Sequence, residues 1–252
     1  MPATRYSMRD YLTFILAGPV AGFGGPAGNE RRPSAALPGR SAIIGILGAG
    51  LGIGREDRRR QAELTRYEVA VASLRRSSPL RDFHTVQTVP TGLARGAGSR
   101  RNALGRAAGT VHTIVTRRDY RCDVAVAVAV WGNGYWPLTS LAAALHRPVY
   151  TLSLGRRSCP PAFPLGPTII LAADPVEALR QTRPALPPDE PAGWEAEFGG
   201  EVMCWSEIPG MTPAEEVEMH SCPDDRSSWT FRPETVWIYR PAADGEEMDP
   251  CS

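Results

Sequence analysis

Cys122-Asp-Val-Ala-Val-Ala-Val-Ala-Val-Trp131 alternates valine with alanine and ends on an indole, so it is apolar on both sides. A half-exposed strand alternates apolar with polar residues, whereas a run that is apolar throughout needs cover on both faces. Valine is stiff at χ1 and suits extended backbone. The segment therefore reads as a central strand with a layer of structure against each face.

Working outward, Tyr11-Leu-Thr-Phe-Ile-Leu16 is a second β-rich run, ended by Gly18-Pro19. A loop with several glycines and the pair Arg31-Arg32 leads to a helix start at Pro38-Gly-Arg-Ser41, with Ser41 near the cap and Ile43, Ile44, Leu47 and Leu51 at helical spacing. Arg58 to Leu64 reads as a short polar helix, and Tyr67 to Ser73 as a strand. Leu80 to Val89 is β-like. Residues 91–110 hold five glycines and Arg95, Arg100, Arg101 and Arg106, which predicts a loop or an arm that orders on a partner. On the other side, Leu138 to His146 and Pro175 to Gln181 read as helices. Pro148 to Leu154 and Thr168 to Ala172 read as extended, with further strands near Glu201–Trp205 and Thr235–Arg240. This order fits an α+β fold, a ferredoxin-like βαββαβ core elaborated by the arm, the arrangement that underlies RRM modules.

The charges are unevenly distributed. Residues 1–183 hold 25 Arg against 11 Asp or Glu, and residues 184–252 hold 3 Arg against 16. A basic body with an acidic tail points to a polyanionic partner, or to a tail that serves as a solubilising surface. All 28 basic residues are Arg, because the chain has no Lys, so a Walker A loop and Schiff-base chemistry are excluded. The five cysteines and four histidines are scattered without metal-ligand or disulfide spacing, so no cofactor and no metal is expected. A reducing, cytoplasmic compartment fits them. Tyr11 to Ala21 imitates a signal-peptide core, but Asp10 borders it and Pro19 interrupts it, and no segment suggests a membrane span.

Four motifs carry chemistry. Gly48-Ala-Gly-Leu-Gly-Ile-Gly54 imitates a dinucleotide fingerprint yet follows a helix, so it reads as close packing and a helix C-cap. At Pro38-Gly-Arg-Ser41 a helix N-terminus beside Arg40 would suit a phosphate, or be plain capping. Leu80-Arg-Asp-Phe-His-Thr-Val86 puts Arg81, Phe83 and Thr85 on one strand face and Asp82 and His84 on the other, a pattern suited to single-stranded RNA. Leu154-Gly-Arg-Arg-Ser-Cys-Pro160 sets Arg156 and Arg157 in a glycine-entered turn closed by proline.

These pieces bring the chain to a family. Tyr11-Leu-Thr-Phe-Ile-Leu-Ala-Gly-Pro19, Arg40-Ser41 leading into Gly45-Ile-Leu-Gly-Ala-Gly-Leu-Gly52, Leu80 to Val86, Tyr120-Arg-Cys-Asp123 and Tyr150 to Pro160 occur in the order found in the CasD subunits of type I-E CRISPR Cascade. That group is the Cas-five branch of the RAMP superfamily, which the sequence resembles over about residues 8–160.

The resemblance implies a non-catalytic subunit that caps the 5′ handle of the guide RNA (crRNA). It implies an extension at 1–7, an RRM-like domain at 8–155 with a β-hairpin thumb inserted at about 88–116, and a small β-rich C-terminal domain at 156–252 with an acidic tail. By similarity, Arg40, Ser41, Arg81, His84, Arg156 and Arg157 are the RNA-binding candidates. Arg95, Arg100, Arg101 and Arg106 belong to the thumb, against the backbone subunit (CasC). The large subunit (CasA) is a further partner, and target DNA is met through the assembled complex. Type I-C relatives cleave precursor RNA with a Tyr–Lys–His set, which a chain without Lys cannot complete. In type I-E systems a different subunit cuts. A metal-independent endoribonuclease using His84 or His112 with a tyrosine is the competing reading.

Overall fold

The computed structural model describes residues 8–25, 30–107, 109–183, 204–207, 214–225 and 230–239. The 1–7 extension and the acidic stretch beyond 239 lie outside them. The chain runs β1 (Arg9–Ala21), β2 (Arg31–Arg32), α1 (Arg40–Gly50), α2 (Arg58–Leu64), β3 (Tyr67–Ser73) and β4 (Ser78–Thr88). It continues through α3 (Thr91–Ala94), α4 (Arg100–Arg106), β5 (His112–Gly132), α5 (Leu138–His146), β6 (Thr168–Ala172) and α6 (Pro175–Gln181). The last elements are β7 (Cys204–Ser206), β8 (Ala214–Asp225) and β9 (Thr230–Tyr239).

The sheet order is β6-β1-β5-β3-β7-β9-β8, with neighbours along it antiparallel. Its first four strands, joined through α1 and α5, have the order of a βαββαβ unit. The two-sided strand has the cover expected of it. Val124, Val126, Val128 and Val130 pack with Leu12, Phe14 and Leu16 of β1 and with α1 and α5. Ala127, Ala129 and Trp131 turn to the other face, where α6 brings Val176, Ala178 and Leu179. Trp131 meets Tyr11 edge-on, ring centroids 5.4 Å apart.

Several boundaries differ from the sequence reading. β1 runs through Gly18-Pro19. Pro19 has no N–H to give a ladder, and the position facing it is absorbed by Asp123, which takes φ +57°. The glycine run behaves as read: Ile53 N–H donates to Gly48 O and Gly52 N–H to Ala49 O, closing α1 with Gly52 at φ +68°. Gly39, not Ser41, is the N-cap of α1. The stretch 148–154 pairs with no strand, although Val149 and Tyr150 N–H groups reach Gly50 O and Ala49 O at the end of α1.

Two larger features concern the arm and the C-terminal half. The arm is a hairpin that starts at Ser78, because β4 pairs with β5 from Ser78↔Cys122 to Thr88↔His112. Its tip is not a bare loop: α3 and α4 form there, with Ala97, Ala103 and Ala107 buried between them. The C-terminal half joins the sheet at two places. β6 adds to β1 and β7 adds to β3, so the C-terminal strands extend the same sheet on both sides.

Candidate nucleic-acid interface

β4 and β5 diverge from the core as a two-stranded ribbon, and side chains alternate between its faces. On one face Arg81 lies opposite Asp119, and its Nε donates to Asp119 Oδ1 at 2.9 Å. Asp119 Oδ2 takes Arg31 from β2, at 2.7 Å from Nη2. Hydrogen bonds from Arg81 and then Arg31 hold the Asp119 carboxyl below the usual carboxylate range, so both guanidiniums are fixed by one carboxylate. Next along this face Phe83 opposes Arg117, whose guanidinium lies 5.7 Å from the ring centroid. The Phe83 ring is 61% exposed, a large apolar surface left in water beside cations.

The other face carries Asp82 opposite Arg118, His84 opposite Thr116, and Leu80 opposite Tyr120. His84 Nε2 is paired with the Asp82 carboxylate. Here Thr116 Oγ1, Arg118 Nε and Arg156 Nη1 are covered yet have no hydrogen-bond partner among the described residues. Covered donors without acceptors are costly, and two on this strand face with a third from the turn beside Tyr120 suit anionic oxygens.

Arg156 arrives from the 154–160 turn, which is pinned from several directions. Leu154 N–H donates to Cys159 O at 2.7 Å, Cys159 N–H to Arg156 O, and Gly22 N–H to Leu154 O. A side chain on Gly18 would approach Leu154 Cδ1 to 2.8 Å, and one on Gly22 would meet the stem of Arg156 at 2.9 Å. Gly155 has φ +82°, and a Cβ there would overlap the Gly22 carbonyl. Held in this way, the Arg156 guanidinium lies 4.5 Å from the Tyr120 ring centroid, and Nη2 donates to Arg32 O at 2.8 Å. Arg157, its neighbour, is exposed.

The structure thus gathers Arg81, His84 and Arg156 at the root of the hairpin, with Arg157 on the same turn as Arg156. Arg40 departs from the phosphate role expected of it. Its guanidinium is buried, paired with Glu207, and donates to Thr65 O and Tyr67 O at 2.7 and 2.8 Å. Tyr67 aligns with Gly132, so Arg40 and Ser41 sit at the opposite end of β5 from Arg81. The reason is local: α1 starts against the first residues of β3, where a guanidinium can satisfy backbone carbonyls and a buried acid. Burial pushes the Glu207 carboxyl up to about 7, against the pull of Arg40 and with some repulsion from Glu234.

In the arm, Arg95, Arg100, Arg101 and Arg106 are all exposed, and Arg106 donates to Arg95 O and Arg100 to Gln87 O, closing the tip on itself. Arg31, Arg117, Arg118, Asp119 and Tyr120 were not among the candidates read from sequence. Arg117, Arg118 and Asp119 lie upstream of the Val/Ala run without an apolar period of their own, so only the pairing with β4 places them on the same strand.

A mixed α/β protein with an antiparallel sheet and a basic, aromatic-bearing hairpin on its longest strand is the class these features define. The chain belongs to the family described as CRISPR-associated protein (Cas_Cas5), which it matches over residues 11–236. It is 36% identical over 188 residues to the CRISPR system Cascade subunit CasD of Escherichia coli (strain K12), covering 70% of this chain and 79% of that one. Among solved structures it is similar to a chain of a CRISPR RNA-guided surveillance complex, with TM-score 0.61 and 28% identity over 91% of this chain and 88% of the other. The fold also matches a Cas protein crystal structure at TM-score 0.59 and 21% identity, covering 91% and 94% of the two chains. The kinship expected from the motifs is borne out. No helix among the described residues is long and apolar enough to cross a membrane.

Proposed function

We propose that this chain is the CasD-type subunit of a type I-E Cascade complex, which binds and caps the 5′ handle of the crRNA without catalysing its cleavage. The observation that carries this reading is the root of the hairpin. There Arg31, Arg81 and Arg117 flank an exposed Phe83, and the opposite face carries unpartnered donors of Thr116 and Arg118, with that of Arg156 from the turn beside Tyr120. Arginine for phosphates beside an aromatic for bases is how single-stranded RNA is held. The contacts assigned are Arg81, His84, Arg156 and Arg157, joined by Arg31 and Arg117, while Arg40 and Ser41 serve the fold. The exposed Arg95 and Arg101 face the backbone subunit (CasC) along the hairpin. CasA is the second protein neighbour, and target DNA is reached through the assembly.

Binding of a 5′-handle RNA to the purified chain, measured against salt, tests this. For single strands the log–log slope is about −0.7 per neutralised phosphate, so contacts from the five arginines give roughly −3.5. Arg81→Gln with Arg117→Gln should flatten the slope by about 1.4. A flat salt dependence overturns the reading. Specific, metal-independent cleavage of a repeat RNA, lost in His84→Ala, would make the chain an endoribonuclease instead.

A further inference from the structure

The far end of β5 displays a second aromatic and basic surface. Beyond Gly132 the chain turns through Asn133 and Gly134 into Tyr135-Trp136-Pro137, the lead-in to α5. The turn is fixed by the Tyr67 hydroxyl, which accepts from Trp136 N–H at 2.9 Å and donates to Trp136 O. Gly134 lies so close to the Tyr67 ring that a Cβ there would overlap it. Tyr135 stands on this pinned turn at 74% exposure, edge-on to Trp136 with ring centroids 5.2 Å apart. An outward-facing phenol on a rigid turn is prepared for stacking at little ordering cost.

The charges beside it come from α2. Arg60 lies 5.8 Å from the Trp136 ring centroid, and Arg58 and Arg59 precede it in sequence. Two acids of this segment are engaged, since Asp57 accepts from Arg60 N–H and pairs with the Arg60 side chain, and Glu63 pairs with Arg66, while Glu56 is exposed beside them. Arg59 is exposed and makes no hydrogen bond or ion pair among the described residues. Tyr135 with a cation row is the same pairing of π-face and guanidinium that suits single-stranded nucleic acid. From Arg117 to Gly132 is fifteen residues of β5, roughly 50 Å if straight, so one nucleotide cannot touch both surfaces.

We propose that Tyr135, Arg59 and Arg60 form a second single-stranded nucleic-acid site, independent of the hairpin root, in which a base stacks on Tyr135. The proposal rests on the reading above only in that this protein works among nucleic acids. The probe is an oligouridylate carrying 4-thiouridine, bound to the full-length chain and irradiated. Arg81→Gln/Arg117→Gln serves as the background that disables the hairpin root. Crosslinks are expected at or beside Tyr135, located by fragment-ion sequencing within tryptic peptide 122–156, and should persist in that background. There, Tyr135→Ser should weaken binding at least fivefold and abolish the crosslink, while Tyr135→Phe keeps both. Crosslinks confined to hairpin peptides, with Tyr135→Ser without effect, overturn this site and leave the proposed function standing. Absence of crosslinks at both places overturns both. If Tyr135→Ser spares the oligonucleotide but releases the chain from its co-purifying subunits, the surface is a protein interface and the proposal fails.

Discussion

The Arg156 guanidinium lies 4.5 Å from the centroid of the Tyr120 ring, tying a surface turn to the longest strand of the sheet. With its bonds to Arg32 O and Pro33 O, Arg156 also draws the β2 segment onto the hairpin root. Its neighbour Arg157 has no such ties and is exposed. The two arginines are adjacent in sequence and unequal in their surroundings.

The two should therefore separate on substitution. Arg157→Gln is expected to lower 5′-handle affinity about three- to tenfold with the melting temperature unchanged. Arg156→Gln removes a ring contact and two carbonyl bonds, together about 2 kcal/mol, or roughly 4–8 °C in a chain of this size. Calorimetry and RNA titration of both variants in one buffer check this, and equal melting temperatures would contradict it.

Glu207 makes stability depend on pH in a stated direction. Its folded pKa is raised to about 7 from an ordinary 4.5, chiefly by burial, so the folded state binds the proton more tightly. Its contribution is present below pH ~4.5 and is lost as pH rises through 7. Glu207→Gln should remove that fall. Melting temperature measured every half unit from pH 4.5 to 8 checks it; an identical profile in the variant counts against the assignment. Arg40→Ala, which strands Glu207 without its partner, should cost about 3–5 kcal/mol.

Phe83 is expected to contribute to binding and little to folding. At 61% exposure its ring buries little apolar surface in the free chain. Phe83→Ala should cost about 1–3 kcal/mol of single-stranded RNA affinity by loss of stacking. Thermal stability should move by less than ~0.5 kcal/mol, as for an ordinary surface position. A large drop in melting temperature would assign the ring to the fold instead.

Gly155→Ala tests the turn itself. The position needs φ +82°, and the added methyl overlaps the Gly22 carbonyl. Left-handed backbone costs about 1–2 kcal/mol before the overlap is relieved. The variant should lose at least that stability, and RNA affinity with it as Arg156 and Arg157 shift. Gly92→Ala, with nothing within 4 Å of the added atom, is the control.

Much of the fold was legible because local pattern and tertiary role agreed. Val124 to Trp131 announced a strand covered twice, and α6 is the cover that the alanines required. What escaped did so for physical reasons. Arg117, Arg118 and Arg121 interrupt any apolar period, so the upstream half of β5 is visible only through its pairing with β4. β8 opens Ala-Glu-Glu-Val-Glu-Met, where the core-side alternation of Val217 and Met219 is outnumbered by exposed glutamates. For the site, Arg81, His84 and Arg156 lay in recognisable motifs and are brought together. Arg40 shared their chemistry but not their place, since the sequence does not say that Glu207, 167 residues away, is its partner.

The valine and alanine faces of β5 differ by two methyl groups at each step, and the spaces that receive them differ equally. A one-residue slip against β1 and β3 would force valine into the shallow clearance beneath α6 and leave voids beneath α1 and α5. Only one setting of the strand fills both. Because β5 runs unbroken from those cavities into the hairpin, the same notch-by-notch fit indexes Arg117, Arg118 and Tyr120 relative to the body of the molecule. The core works as a vernier: residues that never meet a ligand fix, to a fraction of a side-chain spacing, where the arginines of the hairpin stand.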